Sequence, residues 1–110
     1  TDAPVDNAGR GESFSPTDLV ATAIGTCMLT VMGIVADRRN IDMAGARARV
    51  SKQMVADPVR RIGKLDVTID LPAGIEPDER KALENAARAC PVHKSLHPEV
   101  EVPLTFRYPD

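Results

Sequence analysis

Cys27 and Cys90 are the two cysteines of this 110-residue chain. Cys90 lies in the stretch RACPVHKSLHP, residues 88–98, directly before Pro91 and just ahead of His93 and His97. These residue types suit four chemistries: a reactive thiol, a metal ligand, half of a disulfide, or a buried side chain at a helix end. If PVHKSL opens a new helical turn, Pro91 takes its first position and Cys90 its cap. A thiol there meets unpaired N–H groups and the positive end of the helix dipole, which lower its pKa. If the preceding helix runs on to Cys90, the thiol is a plain C-terminal side chain, and the sequence leaves both readings open. The spacings C-x2-H and H-x3-H over Cys90, His93 and His97, with Cys27 as a fourth ligand, would make a Cys2His2 zinc set. The second close pair of a zinc finger is missing, which favours two surface histidines beside a turn. Cys27 shares a helical stripe with Val20, Ala23, Ile24, Val31 and Ile34, and by itself reads as a small buried hydrophobe.

The elements that must position these thiols are legible from periodicity. In FSPTDLV, Ser15 caps a helix, Pro16 takes its first position and Asp18 completes a capping box. Phe14 and Leu19 stand where a hydrophobic staple would form. Residues 19–36 then run for eighteen positions without a charge and end in DRRN, arginines followed by an Asn that tolerates a left-handed stop. That length is at the lower limit for a bilayer span, and three threonines and two glycines dilute it, so a buried core helix is expected. A domain this small struggles to cover every face of such a helix, which predicts a second subunit against one of them.

Residues 44–55 alternate, with Ala46, Ala48 and Val50 against Arg47, Arg49 and Ser51. ADPVRR is a turn, and KLDVTIDLP alternates again, so the two runs predict a β-hairpin with one buried face. AGIEPDERKALENAARAC predicts a second helix with Leu83, Ala86, Ala87 and Cys90 on one stripe, stopped by Pro91. EVEVPLTFRY adds a strand with Val100, Val102, Leu104 and Phe106 inward and Pro103 marking an edge or bulge. The order helix, hairpin, helix, strand predicts an α+β fold, an antiparallel sheet packed on a long buried helix, with residues 1–110 as a single domain.

Composition narrows the function. Phe14, Phe106 and Tyr108 are the only aromatic residues and the formal charge is −2 with scattered basic residues, so no nucleic-acid partner is expected. Phosphate-loop, dinucleotide and nucleophile-elbow motifs are absent, and neither a cofactor nor a membrane partner is expected. The opening residues TDAPVDNAGRGE carry no apolar leader, making the cytoplasm the expected compartment; a cysteine pair there that forms a disulfide is redox-active more often than structural.

GESFSPTDLVATAIGTCMLTVMGIVADRR, followed by ARACPVHKSLHP, resembles the family of osmotically induced protein C and the organic hydroperoxide resistance proteins (OsmC/Ohr). The likeness runs from residue 10 to residue 108. It lies in the Ser-Pro-x-x-Leu helix start, the cysteine in mid-helix, and a charged second helix ending in Cys-Pro-Val; DPVRRIGKLDV resembles the branch with SPTDL. The resemblance implies an intertwined homodimer with active sites at the subunit interface, and a thiol peroxidase for organic peroxides. By position it makes Cys27 the peroxidatic and Cys90 the resolving cysteine, with an external dithiol as reductant. A cysteine in mid-helix gains nothing from the helix dipole, so a cation must favour its thiolate; relatives use an arginine held by a carboxylate. Arg10 is the only arginine ahead of the helix and is the expected partner, with Arg60 and Arg61 as rivals. Two departures stand out. Pro16-Thr17-Asp18 replaces the Pro-Glu of relatives, and their N-terminal β-hairpin is mostly missing. Two alternatives stay open: a non-catalytic module stabilised by zinc on Cys90, His93 and His97, and a family member that binds a hydrophobic small molecule without peroxidase activity.

Overall fold

The computed structural model describes residues 1–109. Helix α1, Pro16–Arg39, starts and stops where its signals stand. The Ser15 hydroxyl accepts from the Asp18 N–H at 3.1 Å and the Asp18 carboxylate accepts from the Ser15 N–H at 3.0 Å, closing the capping box. At the far end Asn40 takes the left-handed conformation, φ 55°, and its N–H caps the Ala36 carbonyl. The staple is not a sealed contact: Phe14 and Leu19 stay 66% and 48% exposed.

Strands β1, Arg47–Val55, and β2, Arg61–Asp70, form the expected antiparallel hairpin, paired from Arg47–Asp70 to Val55–Arg61. The register shifts after Gln53, opposite Gly63. A Cβ on Gly63 would fall 2.5 Å from Val55 Cγ1, so the bulge requires glycine. Helix α2, Pro77–Arg88, and the short helix α3, Pro91–Ser95, lead to strand β3, Leu104–Arg107. The sheet order is β1-β2-β3, and β3 runs parallel to β2, so the sheet is mixed and not antiparallel as expected. The reason lies in the connection: two helices carry the chain back to the end of the sheet where β2 began, and such a crossover delivers a parallel strand. Pro103 precedes the edge strand, and its carbonyl accepts from the Val67 N–H at 2.9 Å.

The core is aliphatic. Ile24, Met28 and Met32 of α1 meet Leu65, Val67 and Ile69 of β2 and Leu83 and Ala87 of α2, all fully buried. Gly25 lets β1 approach the helix: a Cβ there would lie 3.0 Å from Val50 Cγ2 and 3.4 Å from Ala48 Cβ. By length and composition α1 could cross a bilayer, but in this fold its apolar side chains build the core. Its other side carries Thr22, Thr26 and Thr30, whose hydroxyls donate to carbonyls four residues back at 2.8–3.0 Å. Leu19 and Ile34 are about half exposed there, at 48% and 47%. At the C-terminus Tyr108 ties the end of the chain to α2 through its hydroxyl on Glu84, 2.7 Å, and Arg80 over its ring, 4.2 Å.

Candidate active site

Helix α1 presents Cys27 at mid-length, half-buried beside the fully buried Met28. Cys90 lies just beyond α2 as the N-cap of α3, with no exposed surface. Its sulfur accepts the His93 N–H at 3.5 Å. Both are free thiols, and they are near neighbours, close enough for Cys27 to act on the ionisation of Cys90. A core helix and the cap of a three-residue-spaced turn therefore bring together cysteines 63 positions apart in sequence.

The electrostatics of Cys90 run against the expectation from its cap position. Burial pushes its pKa up first, and the hydrogen bond to Cys27 and the charge of a Cys27 thiolate push it further. The N–H groups of His93 and Val92 pull the other way and are outweighed. In a turn of five residues there is little dipole to set against the loss of water around a fully enclosed sulfur. Cys90 thus holds its proton while Cys27, the more accessible thiol, is the one a reagent meets first.

The arginines lie elsewhere. Arg10 has a side chain 83% exposed, 4.0 Å from Glu12; Arg60 reaches Asp6 at 3.7 Å and Arg61 reaches Glu99 at 3.6 Å. Arg61 is the first residue of β2, not part of the turn. Among the described residues none of the three makes an ion pair or hydrogen bond with either thiol. The zinc alternative is overturned: among the described residues no cluster of three or more His, Cys, Asp or Glu could hold a metal ion. The His97 Nδ1 is occupied in its own turn, accepting from the Glu99 N–H at 3.1 Å.

The chain matches the OsmC-like protein family model over residues 9–105, a span that contains both cysteines and their flanking motifs. This protein belongs to the OsmC-like family. A protein from Psychrobacter arcticus, provisionally described as an osmotic stress induced and detoxification response protein, is 46% identical; the alignment covers 97% of this chain and 77% of that one, with a TM-score of 0.90. The organic hydroperoxide resistance protein of Legionella pneumophila shares the fold at 23% identity, covering 96% and 78% of the two chains with a TM-score of 0.75. That of Bacillus subtilis does so at 23% identity, 86% and 71% coverage and a TM-score of 0.66. No curated protein matches the sequence.

In this OsmC-like chain one part-buried charge, away from the thiols, escaped the sequence reading. Lys52 of β1 points inward, its side chain 17% exposed, and its ammonium group donates to Asp18 at 2.7 Å, Thr17 at 2.8 Å and Ser15 at 3.3 Å. All three ammonium protons are thereby used at the start of α1. Asp18 is drawn down to about 2 by Lys52 first and by Ser15 next. It is more than a cap, and Thr17 is engaged by the same lysine. A signal was available: Lys52 continues the inward set Ala46, Ala48, Val50 of an alternating strand. The cluster borders a cleft of about 500 Å³ between α1 and β1, lined among others by Phe14, Thr22, Gly25, Leu29 and Val50. Cys27 follows Gly25 by two residues, roughly 200° around the helix, so this cleft is not the thiol site.

Proposed function

We propose that this protein is a thiol peroxidase that reduces organic hydroperoxides in defence against oxidative stress. The observation that carries the reading is the pairing of a partly exposed Cys27 with a neighbouring, fully buried Cys90 that retains its proton. The names of the fold relatives from Legionella and Bacillus support the substrate class. In this mechanism the Cys27 thiolate attacks one peroxide oxygen, the O–O bond breaks, and the alcohol leaves after taking up a proton. Cys27 becomes a sulfenic acid. The Cys90 sulfur then attacks the Cys27 sulfur, the S–O bond breaks, and water leaves as the disulfide forms. An external dithiol of the cytoplasm reduces the pair by exchange. The protein acts as a homodimer in which the exposed side of α1, with Leu19 and Ile34, is covered. Arg10, held only loosely by Glu12, is the cation assigned to the Cys27 thiolate in that assembly.

Stopped-flow mixing of the reduced protein with cumene hydroperoxide, followed by mass analysis, tests this. The expected result is stoichiometric peroxide loss and one Cys27–Cys90 disulfide. Full activity in Cys27→Ser overturns the proposal. Sedimentation that finds only monomer at micromolar concentration overturns the dimer.

A further inference from the structure

The cap of α3 is built like the cap of α1, but only half of it is closed. At α1 the cap side chain, Ser15, accepts from the third residue's N–H, and the third residue's side chain returns to the cap, 3.0 Å from its N–H. At α3 the first half is present: Cys90 Sγ accepts the His93 N–H at 3.5 Å. His93 holds the third position of that turn, the one whose side chain closes the box at α1. Here the return bond is missing. The Cys90 N–H goes to the Ala87 carbonyl at 3.2 Å, and the His93 Nδ1 is buried with no hydrogen-bond partner. Buried polar atoms are nearly always paired, and an exception calls for an explanation.

The resolving step of the proposed reaction supplies one. Cys90 is sealed from solvent and holds its proton, yet it must give that proton up as its sulfur attacks. We infer that His93 is the proton carrier of the resolving step, a role that rests on the peroxidase reading. Its unpaired Nδ1 takes the proton as the Cys90 S–H bond breaks and the S–S bond to Cys27 forms. The S–O bond of the sulfenic acid breaks in the same step. The imidazolium then protonates the departing hydroxide, which leaves as water, and the ring is neutral again. The Cys90 sulfur is oxidised, the sulfenic sulfur is reduced, and no further reactant is needed.

The two chemical steps can be timed separately in a single turnover. Peroxide loss reports sulfenic acid formation on Cys27, and the appearance of the disulfide reports resolution. His93→Asn keeps a polar atom near the position of Nδ1 but cannot carry a proton. It is expected to leave the first step at the wild-type rate and slow the second by about 10²-fold or more, the usual worth of a positioned acid–base group. His93→Ala should show the same defect and regain rate with added imidazole, a rescue that a purely structural role would not give. If His93→Asn resolves at the wild-type rate, or if imidazole does nothing for a folded His93→Ala, the inference is overturned while the peroxidase reading stands. A wild-type protein that never forms the Cys27 sulfenic acid overturns both.

Discussion

Replacing Lys52 by Met would remove the ammonium group while keeping most of the buried stem, and its consequence depends on pH in a way that can be worked out. Lys52 holds Asp18 at 2.7 Å and is the first cause, ahead of the Ser15 hydrogen bonds, that draws its pKa from 3.8 to about 2. A folded-state pKa below the unfolded one stabilises the protein above the unfolded value, and that stability is lost as pH falls. The window is therefore from about pH 4 down to about pH 2. Taken in full, the shift would be worth about 2.4 kcal/mol. The Asp18 side chain is 39% exposed, so water screens the pair, and about 1 kcal/mol is the reasonable expectation. In Lys52→Met the Asp18 carboxylate keeps the Ser15 N–H and part of its solvent, so the larger penalty of a fully buried orphan charge does not arise. Urea unfolding of both proteins at pH 7 and near pH 2 measures this. The expected result is a deficit of about 1 kcal/mol in the variant at pH 7 that shrinks towards zero in acid. A deficit that stays constant across the range would refute the argument, because packing alone would then explain it.

Further outcomes follow from the structure. Gly25→Val should destabilise by about 1–3 kcal/mol in thermal or chemical unfolding, because its branches would press on Val50 and Ala48 and drive β1 from the helix. Tyr108→Phe should cost about 1 kcal/mol for the lost bond to Glu84; in the native protein, burial and Glu84 push the phenol upward, so an ultraviolet titration should show tyrosinate appearing later than for free tyrosine. Alkylation of the native reduced protein at pH 8 should mark Cys27 before Cys90. The raised Cys90 pKa should also make native stability fall above about pH 9, where the unfolded thiol ionises and the folded one does not.

Much of this protein is written in short-range signals. Ser15, Pro16 and Asp18 set the start of α1, and Arg38, Arg39 and Asn40 its end, because caps act within one turn of backbone. Alternation in residues 44–55 and 64–72 was enough for the hairpin, while Pro91 left Cys90 open between the end of α2 and the cap of a new turn until the fold placed it at the cap. The two cysteines and their flanking motifs identified the family.

Other features were decided by elements distant in sequence. The parallel pairing of β3 depends on which end of the sheet the crossover reaches, and no local pattern encodes that. Lys52 finds Asp18, 34 residues away, only once β1 lies against α1. The state of Cys90 is the clearest case. Its place at a helix start argued for an easily ionised thiol, a local effect. Tertiary packing removed the water and set Cys27 beside it, and in a sealed site desolvation outweighs the pull of two backbone N–H groups. The sequence by itself determined which atoms could do the chemistry; the packing decided which sulfur keeps its proton.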